Sequence, residues 1–139
     1  GERDGVTFVD DYAHNPGKVK AVLQAAAAGA WGRAVCVFQP HLYSRTADLA
    51  GEFGDAFVGA DLLVLTDVYG AREAPRPGVT GKLLVDSVLD RHPRQRVAYL
   101  PVRSELAPYL RRVLRPGDLC LTLGAGDLTS LPDEMLAEP

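Results

Sequence analysis

The chain has 139 residues, 47% of them hydrophobic, which suits one globular domain over residues 1–139 and excludes a second full domain. Its formal net charge is −3, and Lys and Arg are scattered among Asp and Glu, so no basic surface for nucleic acid is expected. No apolar run reaches the ~20 residues of a membrane span, and no signal-peptide pattern opens the chain. We therefore expect a soluble, cytoplasmic protein that binds neither nucleic acid nor membrane.

Short apolar runs alternate with segments of helical periodicity along the whole chain. This alternation predicts a doubly wound α/β fold with a mainly parallel sheet and helices on both faces. The predicted strands are rich in Val and Leu with little alternation, as expected of strands covered on both sides. They span residues 6–9, 34–38, 62–66, 96–100 and 119–123.

Helices are predicted between these strands. Asn15 and Pro16 are a favoured N-cap and a favoured first helical residue, and Gly29 is placed to end the first helix. Ser44 or Thr46 is the candidate cap of the second helix. The helical patterns cover residues 16–28, 49–57, 80–89 and 108–114, with a last short helix after residue 127.

Cysteine and histidine usage does not indicate a metal site. Cys36 and Cys120 each lie within an apolar strand-like run, where a reduced thiol packs as a small hydrophobic group. His14, His41 and His92 are far apart in sequence, without the short spacing that zinc ligands show. We therefore predict two core thiols and no metal bound by this chain.

Three loops that follow predicted strands carry most of the polar and ionisable side chains. They span residues 10–16, 39–46 and 124–127. In open parallel sheets, ligands bind beyond the carboxyl ends of the strands. If the strands are correct, all three loops open toward the same edge of the sheet.

The first loop is only partly explained by helix initiation, which accounts for its last two residues. Asp10, Asp11, Tyr12 and His14 are not needed for a helix cap. A carboxylate at this edge suits the hydroxyls of a nucleotide ribose. It equally suits the backbone amides of a neighbouring loop, and the spacing alone leaves both interpretations open.

The second loop contains the segment FQPHLYSRT before an amphipathic pattern. Arg45 near a helix N-terminus suits capture of a carboxylate or phosphate group. The alternative is a surface arginine paired with Asp48 or Glu52. His41 could equally serve as a hydrogen-bonded strut that holds the loop.

The glycine patterns are weak evidence for nucleotide binding. In LTLGAGDLTS, Gly124 and Gly126 are present, but Thr129 stands at the third glycine position of the dinucleotide fingerprint. In GVTGKLL, Leu83 follows Lys82 where a P-loop requires Ser or Thr. We therefore predict a tight turn at residues 124–127 whose amides line the same edge, and no P-loop.

Four segments together resemble the C-terminal domain of the Mur ligases. They are VDDYAHNP, VFQPHLYSRT, DVYGAREAPRPGVTG and LTLGAGD, and the resemblance runs from about residue 5 to about residue 131. It implies a Rossmann-like fold and a part in an ATP-dependent ligase of peptidoglycan precursor synthesis, which forms an amide bond through an acyl phosphate. Within the family, the resemblance is strongest to members that join L-alanine to UDP-N-acetylmuramate.

The resemblance also implies that this chain is the last part of a three-domain enzyme. The first domain would bind the UDP sugar, and the central domain would carry the P-loop and bind Mg2+. The present domain would orient substrates and exclude water on closure without a catalytic nucleophile, so the isolated chain would be inactive. A ligase for another amino acid, or a non-catalytic nucleotide-binding or interaction module, remains an alternative.

Candidate site residues follow from the same resemblance. It implies that Asp11 approaches the ribose of ATP and that Tyr12, His14 and Asn15 line the nucleotide side. No residue of this chain is expected to be catalytic, because the resemblance implies no nucleophile from this domain.

The resemblance places the amino-acid substrate against the second loop. It implies contacts from His41, Tyr43 and Arg45, with Arg45 binding the carboxylate, and a substrate-bordering role for Asp127. Many relatives have a second arginine after the histidine, where this chain has Leu42. This departure weakens the expectation of a clamp formed by two arginines.

Overall fold

A computed structural model describes residues 1–137; the predicted domain of residues 1–139 includes two residues outside that part. The strands are β1 (Glu2–Arg3), β2 (Val6–Asp11), β3 (Arg33–Phe38), β4 (Leu62–Leu65), β5 (Val97–Tyr99) and β6 (Asp118–Leu123). The helices are α1 (Pro16–Ala27), α2 (Tyr43–Phe53), α3 (Lys82–Arg91), α4 (Leu106–Val113) and α5 (Leu131–Leu136).

The strands form one sheet in the order β1-β2-β6-β3-β4-β5. All neighbours from β2 to β5 are parallel, and only β1 runs antiparallel, as a short edge strand against β2. The predicted mainly parallel sheet and its five longer strands are confirmed. β1 was not predicted because two residues cannot show a hydrophobic period.

Helices cover both faces of the sheet, as the doubly wound prediction requires. In β3, successive side chains point to opposite faces, so Val35 and Val37 join one hydrophobic cluster while Cys36 and Phe38 join the other. Residues of α1, α2 and α3 pack in the cluster with Phe38, and residues of α4 and α5 pack in the cluster with Val37. Within residues 1–137, no helix has the length and apolar character needed to span a bilayer.

The two cysteines are free thiols inside the core, as predicted. Cys36 and Cys120 have no solvent exposure and lie on the neighbouring strands β3 and β6. Burial raises the pKa of both thiols, that of Cys120 to about 12. Both therefore stay protonated at neutral pH and act as packing groups.

A buried ion pair joins the first residues of β3 and β6. Arg33 donates two hydrogen bonds to Asp118, at 3.1 Å from Nε and 2.7 Å from Nη2, and the bond raises the pKa of Arg33. Asp118 is 3% exposed and also accepts from the backbone N–H of Arg115 at 2.9 Å. This pair sets the register of the two strands at the edge opposite the polar loops.

Replacing Asp118 by Ala should destabilise the chain by about 3 kcal/mol, because it leaves the charge of Arg33 largely buried and unpaired. The control is Asp86→Ala, which removes the exposed partner of Lys82 and should cost less than about 0.5 kcal/mol. Urea unfolding of both variants measures the two free energies. Equal losses would contradict the role assigned to the buried pair.

Candidate functional site

The three polar loops meet at the carboxyl ends of β2, β6 and β3. The backbone N–H of Gly124 donates to the carbonyl of Asp11 at 3.2 Å, and that of Gln39 donates to Leu123 at 3.1 Å. Because β6 lies between β2 and β3, residues 124–127 lie beside both other loops. The prediction that all three open toward the same edge is confirmed.

Aromatic rings form a row across these loops. Tyr12 contacts His14 edge-on at 5.3 Å between centroids, and His14 contacts His41 at 5.8 Å. The ring of His41 stacks on Tyr69 at 6.1 Å, with an angle of 15° between the planes. Tyr69 comes from the long loop between β4 and α3 and was not predicted; Tyr12, at 67% exposure, ends the row on the surface.

The first loop is ordered by its own backbone amides. Asp11 accepts a hydrogen bond from the N–H of Ala13 at 2.8 Å through Oδ1, and Asn15 accepts from the N–H of Lys18 at 3.0 Å. The second bond confirms Asn15 as the N-cap of α1. His14 Nδ1 lies 2.9 Å from the carbonyl oxygen of Tyr12 and must donate, because a carbonyl oxygen can only accept. His14 Nε2 is not used in this hydrogen bond.

Asp10 is bound to the neighbouring strand. The buried hydroxyl of Thr122, on β6, donates to Asp10 Oδ1 at 2.5 Å. Partial burial raises the pKa of Asp10, against the lowering effect of the Thr122 bond, and the negative charge of Asp11 raises it further. Of the two adjacent carboxylates, Asp10 is thus bonded to the neighbouring strand β6, and Asp11 is bonded to the backbone of the turn that follows β2.

The start of α2 differs from the prediction. The helix begins at Tyr43 and its N-cap is Leu42, whose φ of 69° is unusual for a residue with a side chain. Neither predicted cap is correct: Thr46 donates its hydroxyl back to the carbonyl of Leu42 at 2.7 Å, and Ser44 is bound elsewhere. Tertiary contacts, described next, replace the missing side-chain cap.

Glu73 caps α2 from the long loop. Its carboxylate accepts from the backbone N–H of Ser44 at 3.0 Å and from the Ser44 hydroxyl at 2.5 Å. Both bonds lower the pKa of Glu73, and the bond from the Ser44 hydroxyl has the larger effect. Two backbone bonds strengthen the attachment, from Tyr69 N–H to Pro40 and from Leu42 N–H to Tyr69. The long loop is thereby fastened to the second polar loop.

Arg45 and His41 keep unsatisfied polar groups at this edge. Among residues 1–137, Arg45 forms no ion pair, so the alternative partners Asp48 and Glu52 are not used. His41 Nδ1 is buried without a hydrogen-bond partner in that same part of the chain, so the strut interpretation is wrong for this atom. Burial lowers the pKa of His41, the positive charge of Arg45 lowers it further, and the negative charge of Glu73 opposes both effects.

The third loop presents Asp127. Its Oδ1 accepts from Nε2 of Gln39 at 2.6 Å, and its side chain is 53% exposed. Gly126 makes this approach possible, because a Cβ there would lie 2.6 Å from Gln39 Oε1 and 2.5 Å from Tyr69 Cγ. Close packing between the loops therefore explains the glycine at position 126.

Four residues of this site were not predicted from the sequence: Gln39, Tyr69, Glu73 and Thr122. Gln39 is the first residue of the predicted second loop, and Thr122 is a polar residue inside a predicted strand, but neither was assigned a role. Tyr69 and Glu73 lie in one of the four segments that resemble the family, but the Gly and Pro content of that segment predicted only a loop.

The other predicted residues lie at the same end of the sheet, but not all of them are in loops: Asp11 ends β2, and Tyr43 and Arg45 lie in the first turn of α2. The predicted loop bounds 10–16 and 39–46 were therefore too wide, because β2 and α2 extend into them.

The site combines opposite charges without a metal-binding cluster. Within residues 1–137 no three His, Cys, Asp or Glu side chains are grouped to hold a metal ion. Arg45 offers a cation in the first turn of α2, Asp11 offers a partly exposed carboxylate at the end of β2, and Asp127 offers another in the third loop. Such a set can bind polar, charged small molecules.

Glu73→Gln should remove a pH-dependent contribution to stability. The folded-state pKa lies below the ordinary 4.5, so the contribution is full above that value and is lost as pH falls through the folded pKa. The difference in unfolding free energy between wild type and variant should be constant from about pH 7 to about pH 5 and shrink toward about pH 3.

Urea unfolding at each pH measures this difference. Glu105→Gln, at an exposed glutamate before α4, is the matched control for loss of one charge. A difference for Glu73→Gln that stays constant down to the lowest pH would contradict the electrostatic role of the cap.

Comparison with known proteins gives consistent matches. The family model "Mur ligase, glutamate ligase domain" matches residues 1–126. A UDP-N-acetylmuramate–L-alanine ligase of Rubrobacter xylanophilus is 50% identical over 99% of this chain and 31% of its own length. One of Saccharopolyspora erythraea is 53% identical over 99% of the chain and 28% of its own length. The chain thus spans roughly a third or less of these curated relatives.

Solved structures share the fold. The UDP-N-acetylmuramate–alanine ligase of Thermotoga maritima superposes with a TM-score of 0.69 and 26% identity, over 96% of this chain and 26% of that one. A murein peptide ligase of Psychrobacter arcticus gives 0.78 at 13% identity, over 98% and 28%. The resemblance in four sequence segments is thereby confirmed: the chain belongs to the Mur ligase family and corresponds to its glutamate ligase domain.

Proposed function

We propose that this domain works within an ATP-dependent ligase that joins L-alanine to UDP-N-acetylmuramate in the synthesis of peptidoglycan precursors. Two relatives that carry this name are 50% and 53% identical to the chain across 99% of its length. The observation that carries the proposal is the meeting of the Asp11 loop and the Arg45 loop on either side of β6. This edge can face a nucleotide and an amino acid at the same time.

The domain supplies only part of such an enzyme. The 139 residues contain no P-loop, and residues 1–137 contain no metal-ligand cluster, so other domains would hold the ATP phosphates, Mg2+ and the UDP sugar. The isolated chain is then inactive, and the reaction takes place in the cytoplasm, where ATP is available. Mg2+ would neutralise the phosphate charge, and this domain would orient the reactants.

The first loop suits the nucleotide side. Asp11 uses Oδ1 for the turn and keeps a second oxygen for the ribose hydroxyls. Tyr12 exposes 67% of its surface and can lie against the adenine ring. His14 offers Nε2 as an acceptor, and Asn15 keeps its amide NH2 after its oxygen has capped α1.

The second and third loops suit the amino acid. Glu73 already occupies the first amides of α2, so the substrate carboxylate depends on the Arg45 guanidinium, with His41 and Tyr43 beside it. Leu42 supplies no second cation. Asp127 provides the opposite charge, which suits the amino group of the same substrate.

The proposed reaction runs through an acyl phosphate. The muramoyl carboxylate attacks the γ-phosphate of ATP and ADP leaves, which gives the acyl phosphate. The neutral amine of L-alanine then attacks the acyl carbon, and phosphate and a proton are released as the amide forms. Catalysis of this kind relies on positioning and charge neutralisation, so no nucleophile is required from this domain. Closure of the domain over the reactants excludes water from the acyl phosphate.

The full-length protein that carries this domain should release phosphate from ATP only when UDP-N-acetylmuramate and L-alanine are both present. The measurement is phosphate release with a panel of amino acids, including glycine, L-serine and D-glutamate. L-Alanine should give the highest kcat/KM. Phosphate release that depends on a different amino acid would favour a Mur-type ligase with another specificity. If no amino acid in the panel leads to phosphate release, a non-catalytic module is favoured.

Substitutions on the two loops should affect different substrates in the full-length protein. Arg45→Ala should raise the KM for L-alanine by about 10- to 100-fold, because it removes hydrogen bonds to a charged carboxylate. Asp11→Asn keeps an oxygen for the Ala13 amide and should raise the KM for ATP by roughly fivefold.

Arg94→Ala is the matched control, since Arg94 is exposed just before β5, at the amino ends of the strands and so at the opposite end of the sheet from the candidate site. It should change neither KM. Steady-state kinetics with each substrate varied in turn provides the comparison. Equal effects of Arg45→Ala on both substrates, or none, would overturn the assignment of the two loops.

A further inference from the structure

A buried glutamine connects the end of β3 to the third loop. Gln39 is 4% exposed, and both polar atoms of its side chain are bonded. Nε2 donates to Asp127 Oδ1 at 2.6 Å, and Oε1 accepts from the backbone N–H of Leu128 at 3.2 Å. A reversed amide would set oxygen against the carboxylate and NH2 against an N–H, so only this orientation satisfies both partners.

Gly126 packs closely against the side chain of Gln39. Gly126 passes so close that any side chain there would collide with Gln39 Oε1 and with the ring of Tyr69. The backbone N–H of Gln39 is bonded to Leu123 as well. A buried amide with both ends hydrogen-bonded holds its partner at a defined place.

Asp127 keeps binding capacity after this bond is made. Within residues 1–137 its Oδ2 accepts no hydrogen bond, and its side chain is 53% exposed. The nearest cation, Arg103, lies 3.9 Å from Oδ1 and makes a shorter contact of 2.6 Å with Glu134. The charge of Asp127 is therefore only weakly compensated within the chain.

We propose that Gln39 is the positioning residue for Asp127, holding Oδ1 so that Oδ2 accepts a hydrogen bond from the ammonium group of the amino-acid substrate. The inference rests on the proposed function, in which the carboxylate of the substrate binds Arg45 at the start of α2 and its ammonium group binds Asp127 in the third loop. It adds the residue that fixes the position of Asp127. Gln39 does not touch the substrate and acts only through Asp127.

The test uses Gln39→Glu in the full-length protein. Two adjacent carboxyl groups share one proton at low pH, and the introduced carboxylic acid then donates to Asp127 as the amide does. At high pH both groups ionise, and repulsion displaces Asp127. Relative to wild type at the same pH, the KM for L-alanine should rise to about tenfold near pH 8.5 and fall toward unity near pH 6, with the KM for ATP unchanged.

A second pair of variants separates positioning from simple support of the fold. Asp127→Asn keeps the bond from Gln39 and should raise the KM for L-alanine about tenfold at every pH. The double variant Gln39→Glu with Asp127→Asn restores a donor–acceptor pair. The amide at position 127 now donates, and the carboxylate at the buried position 39 accepts and carries the charge. Its melting temperature should recover at high pH, while its KM for L-alanine should stay as high as that of Asp127→Asn.

The outcomes decide between the two roles. An alanine KM for Gln39→Glu that is independent of pH, or a double variant that regains a wild-type KM along with its stability, would overturn the proposal. If phosphate release requires a different amino acid, the proposed substrate is wrong and the same variants test the inference with that amino acid. If no amino acid supports release, the inference fails together with the proposed function.

Discussion

The structure depends on the insertion of β6 between β2 and β3. The last strand of the chain forms parallel hydrogen bonds with both, pairing Leu123 with Asp11 on one side and with Phe38 on the other. This register places the ends of three strands side by side, although their residues lie far apart in sequence. The Arg33–Asp118 pair sets the same register from the opposite edge. The contacts between the ends of β2, β3 and β6 follow from this arrangement, and the loop after β4 adds Tyr69 and Glu73 through the pairing of β3 with β4.

The site is held together by bonds between loops more than by bonds within them. Glu73 reaches back 29 positions to cap α2 at Ser44, and Gln39 reaches forward 88 positions to hold Asp127. Each bond satisfies buried or half-buried polar groups that the local chain leaves open. The polar groups left over, on Arg45, His41 and Asp127, are then those that can face a ligand. Some residues, such as Glu73 and Gln39, use their side chains to support the loops, while Asp11 and Asp127 bond the loops through one carboxylate oxygen and keep the other available.

Much of the fold was predictable because it rests on local patterns. Five parallel strands, helices on both faces and the cap at Asn15 follow from apolar runs, helical periodicity and residue preferences. The errors occurred where tertiary contacts override those preferences. Ser44 has the chemistry of a cap, but its hydroxyl and amide bind Glu73, and Leu42 takes the capping position with a positive φ. No local preference indicates that exchange.

The doubly wound fold, the buried thiols, the positions of the polar segments and the family of the chain could all be inferred from the sequence, because they depend on short periods and on motifs of adjacent residues. Which polar groups support the site and which remain available depends instead on contacts between segments that are far apart in sequence. Asp10 and Asp11 are neighbours of identical chemistry, yet one binds Thr122 on β6 and the other binds the Ala13 amide. The partner of each carboxylate depends on the direction in which its side chain points at the end of β2, and on which polar group of the neighbouring segment lies there.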